Sequence, residues 1–308
     1  MRIAYVEDRD MPRDREPLLR RIARELFGED LSNKIWKRIE IIGDIAVIRV
    51  PFWLKPDDLK PLANAILERI PYVKSVWAGL PGVAGEYRLR KYVHLAGEPR
   101  SETIYREHGC SFKLDITKTY VSPRLNYEHG RIARLVRKGE VVTNMFAGVG
   151  LFSIIIAKKA SPRKVYSIDI NPWAYKYMVE NIYLNKVDNI VVPLLGDAAK
   201  VIEEKLVNTS DRVLMPLPEV ALEYLKYAIM ALKNREGIVH VYLHIDAAKN
   251  EDPYEKAEIK VLDRLKELCV YGKVVFKRKV RMIGPRKYQI VLDVMVGRRR
   301  SSGLENHR

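Results

Sequence analysis

The sequence is poor in residues and segments that would point to several large classes of protein. It has two cysteines, Cys110 and Cys269, among 308 residues. So few cysteines favour a reducing compartment over a disulfide-stabilised secreted protein, and they cannot form a metal site by themselves. No run of about 18 apolar residues is present, and the charged N-terminus lacks the apolar segment of a signal peptide. We therefore expect a cytoplasmic protein with no membrane span and no metal.

Acidic residues are also outnumbered. The chain has 39 Asp and Glu against 55 Lys and Arg, which gives a formal net charge of +16. An excess of this size favours a polyanionic partner. The alternative is a solubilising surface charge, as in many heat-stable proteins, and the high charged fraction of 31% is consistent with a thermophile.

The chain changes its pattern twice. Residues 37–119 contain short apolar runs broken by glycines, typical of a small α+β domain. Residues 120–297 alternate strand and helix patterns, which predicts a parallel sheet with helices on both faces and an antiparallel hairpin at its edge, seven strands in all. Residues 1–36 are interpreted as an extension or a vestigial domain, and 298–308 as a disordered tail.

A glycine pair marks the first turn of this α/β domain. The stretch NMFAGVG at Asn144–Gly150 follows a buried strand pattern and precedes a helix pattern. Gly148 and Gly150 fit a sharp turn at which a bound ligand approaches the backbone closely. Asp169 ends the next strand about twenty residues on, where a carboxylate can bind both ribose hydroxyls of a nucleotide. Asp197 follows the third strand and can reach the adenine edge.

The missing third glycine bears on which nucleotide binds. A dinucleotide site normally reads G-x-G-x-x-G, but Ser153 stands at the last of these positions. A dehydrogenase is therefore disfavoured, as it also is by the charge of +16. The pattern fits S-adenosylmethionine better. The alternative is an ordinary core turn with helix-capping aspartates.

Several ordered motifs together resemble one family. They are GEYRLRKY, TKTYVSPRLNYEHGRIA, FAGVGLFSI and IDINPWAYKYMVENIYLNKV. These stretches are similar to the archaeal and eukaryotic tRNA (guanine37-N1)-methyltransferases, over residues 37–296. The resemblance implies a class I, Rossmann-like methyltransferase domain behind a small RNA-contacting domain. It also implies transfer of a methyl group from S-adenosylmethionine to N1 of guanine 37 in the anticodon loop.

The resemblance assigns roles to particular residues. Glu128 matches the general base that removes the N1 proton, and Arg88 matches an arginine that stabilises the oxyanion. The positions that match the cofactor site are Tyr120, Asn144, Phe146, Gly148, Gly150, Asp169, Ile170, Asp197 and Ala198. Without the resemblance, Glu128 would be interpreted as a carboxylate favoured at a helix N-terminus, and Arg88 as a solvent-facing strand residue.

Two positions depart from the family pattern. Asn144 replaces an aspartate, so the side chain can still hydrogen-bond the cofactor but carries no charge. Pro216, in the stretch MPLP, replaces an asparagine whose amide reads the target base, and proline offers neither a side-chain donor nor an N–H. Pro216, the third predicted catalytic residue, therefore cannot hydrogen-bond the target base as that asparagine does.

The basic residues support a tRNA partner, contacted at an anticodon stem-loop with a purine at position 37. Clusters of Lys and Arg neutralise phosphates without specifying sequence. We expect RNA contacts from Arg90, Lys91, Arg124, Arg131, Arg134, Lys279 and Arg286. We expect the protein to be a monomer.

Three functions remain open from the sequence. The first is methylation of guanine 37. The second keeps the fold and acts on a wyosine precursor at the same position, by methylation or by aminocarboxypropyl transfer; Glu128 favours the methyltransferase. The third is a non-catalytic RNA-binding protein with a degenerate cofactor site, which only Asn144 and Pro216 support.

Overall fold

The computed structural model of the chain describes residues 16–35, 38–82, 85, 87 and 89–297. Its contacts divide into two compact units, Met1–Thr103 and Ile104–Arg308. This division falls before the boundary predicted at Tyr120. The predicted tail, residues 298–308, lies outside the described residues, as do residues 1–15 of the predicted extension.

The N-terminal unit is an α+β fold. Its described strands form a four-stranded sheet in the order β1-β2-β3-β4, in which β2 and β3 are parallel and the outer pairs are antiparallel. The elements are α1 (Leu18–Lys34), β1 (Glu40–Ile42), β2 (Ile45–Arg49), α2 (Lys60–Arg69), β3 (Ser75–Gly79) and β4 (Tyr92–Gly97).

Helix α1 belongs to the core of this unit and is not a peripheral extension. Leu19 and Ile22 of α1 are buried in the same apolar cluster as Ile48 of β2 and Ile66 of α2. The helix is interrupted at Gly28, whose φ of +78° is non-helical. The predicted division at residue 36 therefore separates residues that pack together.

The C-terminal unit begins within β5, the first strand of a paired two-stranded sheet, and continues as an α/β fold. Its elements are β5 (Glu102–Glu107), β6 (Cys110–Asp115), α3 (Asn126–Leu135), β7 (Val141–Asn144), α4 (Leu151–Ala160), β8 (Lys164–Asp169), α5 (Pro172–Leu184), β9 (Val191–Leu195), α6 (Ala198–Val201), β10 (Arg212–Met215), α7 (Ala221–Ala231), β11 (Gly237–Asp246), α8 (Pro253–Glu267), β12 (Tyr271–Gly284) and β13 (Lys287–Gly297).

Seven of the described strands form one sheet in the order β12-β13-β11-β10-β7-β8-β9. Strands β7 to β11 are mutually parallel, and β13 is antiparallel to both of its neighbours. The predicted fold class, a class I seven-stranded sheet closed by an antiparallel hairpin, is confirmed. The chain direction across the sheet reverses between β7 and β10, and a crevice opens at the carboxyl ends of strands at such a point.

Two asparagines, Asn181 of α5 and Asn185 directly after it, hold β6 in the C-terminal unit. Asn181 exchanges two hydrogen bonds with the backbone of Lys113, at 2.6 and 3.0 Å, and Asn185 does the same with Ser111, at 2.9 and 2.6 Å. Asn181 also donates to the carbonyl of Val149 at 3.0 Å. These amides bind backbone N–H and C=O groups of β6, and Asn181 also ties β6 to the glycine turn after β7.

Candidate functional site

The turn after β7 has the conformation that its glycines allow. Gly148 has a φ of +56° and Gly150 a φ of +95°, both in the left-handed region. A Cβ on Gly150 would lie 3.0 Å from Cδ1 of Ile154 in α4, so a side chain there would disturb the packing of the helix on the turn. The carbonyl oxygen of Tyr120 lies 3.7 Å from the place of a Cβ on Gly148. Glycine is thus required at residue 150 by the backbone and the packing, whereas at residue 148 it is favoured by the left-handed backbone and leaves space for a ligand.

Asp169, at the end of β8, is hydrogen-bonded to this turn. Its Oδ2 accepts from the N–H of Gly148 at 2.6 Å, and its Oδ1 accepts from the N–H of Asn171 at 2.9 Å. Burial raises the pKa of Asp169, and the two N–H donors oppose that rise. A carboxylate has further lone pairs on both oxygens, so Asp169 can accept additional hydrogen bonds from a ligand.

Asp197 begins α6 and connects to Phe146 through a tyrosine. Its Oδ1 accepts from the N–H groups of Ala199 and Lys200, which makes it a helix N-cap. Its Oδ2 accepts from the hydroxyl of Tyr224 at 2.5 Å, and the Tyr224 ring packs edge-on against Phe146 at 5.5 Å between centroids. Burial and the carboxylate of Asp197 raise the pKa of Tyr224, so its hydroxyl remains a donor.

Asn144 is completely buried at the end of β7. Its Nδ2 donates to Oγ of Ser153 at 3.2 Å, whereas its Oδ1 has no hydrogen-bond partner among the described residues. The hydroxyl of Ser167, at the paired position on β8, is buried and unpartnered in the same way. Asn144 therefore presents an uncharged acceptor oxygen, its Oδ1, beside the turn.

The remaining predicted cofactor and catalytic positions differ in their surroundings. Tyr120 is 53% exposed, and its hydroxyl accepts from Arg281 of β12 at 3.2 Å. Ile170 is exposed and Ala198 is buried. Pro216 is half-buried directly after β10, which pairs with β7, so it lies at the same edge of the sheet as the glycine turn. Arg88 lies outside the described residues.

Glu128 lies in the first turn of α3 and is 1% exposed. Three donors among the described residues reach its carboxylate. Nε of Arg131 and the hydroxyl of Tyr242 bind Oε2 at 2.9 and 3.0 Å, and a guanidinium N–H of Arg278 binds Oε1 at 2.6 Å. Burial, with Glu128 beside it, raises the pKa of Tyr242 well above its usual range, so Tyr242 donates to the carboxylate.

A second carboxylate holds Arg131 from the other side. The guanidinium of Arg131 binds both oxygens of Asp293 in β13, at 2.6 and 3.1 Å. Nδ1 of His240 in β11 lies 2.6 Å from Asp293, and Nε2 of His240 lies 2.8 Å from the guanidinium of Arg212. Because Arg212 can only donate, His240 is neutral, with its proton on Nδ1.

The pKa values in this network follow from those contacts. Burial alone would raise the pKa of Asp293, but hydrogen bonds from His240 and Arg131, together with the charge of Arg131, lower it to about 2. Burial lowers the pKa of His240. The network therefore contains an ionised Asp293, a neutral His240 and a cationic Arg131.

Arg131 corrects one prediction. It was expected to contact an RNA phosphate, yet it is 7% exposed and its guanidinium is occupied by Glu128 and Asp293. The other predicted RNA contacts of the C-terminal unit are exposed: Arg124, Arg134, Lys279 and Arg286. In the N-terminal unit Lys91 is exposed and Arg90 is half-buried.

Sequence reasoning missed the residues that hold Glu128 and Arg131. Tyr242 and His240 lie on β11, and Asp293 lies on β13, which pairs with it in the register His240 to Asp293. One signal was present in the sequence. Asp293 is a single acidic residue within the otherwise apolar run IVLDVMV, and a lone charge in a buried strand needs a buried partner.

Within the described residues, no group of three or more His, Cys, Asp or Glu side chains is arranged to hold a metal ion. The helices of that same part of the chain are all too short or too polar to cross a membrane.

Comparison with protein families gives two matches. The TRM5/TYW2 methyltransferase domain matches residues 103–270, and the TYW2 N-terminal domain matches residues 19–100. The two matches meet close to the division between the compact units at Thr103.

Two curated relatives and two solved structures are similar over most of the chain. The tRNA 4-demethylwyosine(37)-methyltransferase Taw21 of Saccharolobus solfataricus is 48% identical over 85% of this chain and 95% of its own. The tRNA (guanine(37)-N(1))-methyltransferase Trm5b of Pyrococcus abyssi is 45% identical over 87% and 77%. The complex of aTrm5 and tRNALeu has a TM-score of 0.79, with 33% identity over 92% and 79%. TYW2 of M. jannaschii in complex with AdoMet has a TM-score of 0.63, with 27% identity over 85% and 100%.

We predict that Asp293→Asn destabilises the protein. The substitution leaves the buried Arg131 without its anionic partner, and breaking a buried ion pair costs about 3 kcal/mol in the free energy of unfolding. Because the pKa of Asp293 is lowered from 3.8 to about 2, its contribution is fully present above pH 3.8 and is lost as the pH falls through about 2. Urea unfolding of wild type and variant between pH 7 and pH 2.5 measures the difference.

The exposed Asp188 provides the matched control, since Asp188→Asn removes the same charge from the surface. A loss of stability at Asp293→Asn no larger than at Asp188→Asn, or one that does not shrink in acid, would contradict the network.

Proposed function

The chain belongs to the TRM5/TYW2 methyltransferase family, and from this premise we propose that it transfers a methyl group from S-adenosylmethionine to the base at position 37 of tRNA. The relatives named above act on tRNA at that position, and the TYW2 structure contains AdoMet. The cofactor supplies an electrophilic methyl group, and the chain must hold it, hold the base and accept the proton that the base loses.

The crevice at the end of β7 fits this cofactor. The left-handed turn at Gly148 and Gly150 lets a ligand approach the backbone. Asp169 can accept hydrogen bonds from ribose hydroxyls, and the unpartnered Oδ1 of Asn144 can accept one from an ammonium group. Asp197 and the Phe146 ring, linked through Tyr224, suit the adenine end. We propose that Tyr120, Ile170 and Ala198 line the same site.

Pro216 is the residue from which we infer which base accepts the methyl group. A guanine at this site offers N1–H and O6 to the side-chain amide of an asparagine at the end of β10, but the side chain of a proline there can hydrogen-bond neither group. The wyosine precursor is a tricyclic base whose N1 lies within the third ring and carries no hydrogen, so it does not need that contact. We therefore infer that 4-demethylwyosine is the preferred acceptor, consistent with the 48% identity to Taw21.

Glu128 is the group that we assign to proton removal. It is a carboxylate fixed by Arg131 and Tyr242 on one oxygen, so its position is set by buried side chains. A fixed carboxylate can take a proton from the reacting atom of the base, as general bases do, once its other oxygen is accessible. Arg88, by its match to the family, is proposed to stabilise charge on the base oxygen.

Methylation of guanine N1 is the second candidate. It is supported by 45% identity to Trm5b of Pyrococcus abyssi, of which the match covers 77%.

We also propose that the N-terminal unit contacts RNA through Arg90 and Lys91, and that Arg124, Arg134, Lys279 and Arg286 contact phosphates from the C-terminal unit.

Asp169→Ala should weaken binding of S-adenosylmethionine more than tenfold. The substitution removes the carboxylate that accepts from ribose hydroxyls and also frees the N–H of Gly148, and hydrogen bonds to charged groups contribute about 2 kcal/mol each. Titration calorimetry measures the affinity. Asp188→Asn, on the surface, should leave it unchanged. Equal affinities for wild type and Asp169→Ala would remove this pocket assignment.

The choice of acceptor is tested with two tRNAs that differ only in carrying guanine or 4-demethylwyosine at position 37. Mass analysis of nucleosides should find a methyl group added mainly to the tricyclic base. Pro216→Asn should shift relative kcat/KM towards guanine by about fivefold, since one neutral hydrogen bond contributes about 1 kcal/mol.

Two other products have distinct masses, and the absence of any product is a further outcome. Methylguanine alone, with no effect of Pro216→Asn, would establish the second candidate. An aminocarboxypropyl adduct would indicate the other wyosine reaction. No product with either tRNA, despite RNA binding, would favour a non-catalytic RNA-binding protein.

A further inference from the structure

The carboxylate of Glu128 is covered in the RNA-free protein. Its side chain is 1% exposed, and Arg278 lies on the oxygen that Arg131 and Tyr242 leave free. A base cannot reach a carboxylate in this state. One of the described donors must move before Glu128 can accept a proton from tRNA.

The three donors differ in how firmly they are held. Arg131 is fixed by two hydrogen bonds to Asp293, and Tyr242 is fully buried. Arg278 is 31% exposed at its side chain. Among the described donors to Glu128, Arg278 is therefore the one that can leave without disturbing the core.

The strand that carries Arg278 is irregular on both sides of it. The β12–β13 ladder shifts register between Val274 and Phe276 and again between Lys279 and Arg281. Such bulges re-aim side chains and weaken local pairing. The guanidinium of Arg278 lies 3.5 Å from the centroid of the Tyr127 ring, which is itself 53% exposed. Arg278 is thus held at the surface, between a carboxylate and an aromatic face.

We propose that Arg278 covers Glu128 in the free protein and moves to an RNA phosphate when tRNA binds, which uncovers the carboxylate for the target base. The inference rests on the proposed function. A guanidinium fork matches the geometry of a phosphate as well as that of a carboxylate, so the two anions compete for the same donor. Glu128 then becomes accessible only in the complex with RNA.

If Glu128 and an RNA phosphate compete for Arg278, removing the charge of Glu128 should strengthen RNA binding. Glu128→Gln, which removes the charge that competes for Arg278, should bind a fluorescein-labelled anticodon stem-loop about fivefold more tightly than wild type. The gain should vanish when Arg278→Ala is also present, because the two residues then no longer interact. Arg278→Ala alone should weaken binding and lower the slope of log affinity against log salt by about one.

Lys277→Ala is the matched control. Lys277 is the neighbour of Arg278 on β12, is exposed, and pairs with Glu258 of α8 at 2.9 Å. Its loss should leave the coupling with Glu128 unchanged. Thermal unfolding of every variant identifies those that do not fold, and if Glu128→Gln is among them, the salt slope of Arg278→Ala decides.

Several outcomes would overturn the inference. Unchanged or weaker RNA binding by a folded Glu128→Gln variant, the same gain with and without Arg278, or an unchanged salt slope for Arg278→Ala would each do so. If these results accompany normal methyl transfer, the proposed function stands and only the role of Arg278 falls. If the wild type binds no RNA, both fall.

Discussion

The interaction on which the site depends is the pairing of one buried guanidinium with two carboxylates. Arg131 lies between two carboxylates, Glu128 on α3 and Asp293 on β13, and so connects the helix before the sheet to its antiparallel edge. An arginine in an apolar interior is stable only when its charge is matched and its donors are bonded. The requirement fixes where both carboxylates must be, and it therefore fixes the position of Glu128.

The rest of the network extends this constraint across the sheet. His240 donates to Asp293 and accepts from Arg212, which in turn pairs with Glu140 at 2.8 Å. Each side chain of the network orients the next. The position of Glu128 therefore depends on His240 of β11 and Arg212 of β10 as well as on Asp293 of β13. A fixed carboxylate is useful in catalysis because its geometry does not have to be reorganised during the reaction. The same fixation leaves Arg278, at the surface, as the mobile donor to Glu128.

Much of the fold could be predicted because its signals are local. The alternation of strand and helix patterns after residue 120 predicts the parallel sheet, and the spacing of Gly148, Gly150 and Asp169 predicts the turn and its carboxylate. The unit boundary could not be predicted in the same way, because the amides of Asn181 and Asn185 hold β6 from a helix about seventy residues later in the chain. The burial of Arg131 was missed for a similar reason, since its partner Asp293 is 162 residues away.

The most direct measurement is a crystal structure of the protein bound to an anticodon stem-loop. We predict that Arg131 and Tyr242 still donate to Oε2 of Glu128, that Asp293 still holds Arg131, and that the guanidinium of Arg278 has moved from Oε1 to a phosphate oxygen of the RNA. The target base should then lie within hydrogen-bond distance of Glu128. A complex with the base in the crevice, in which Arg278 remains on Glu128 or Arg131 has left Asp293, would contradict it.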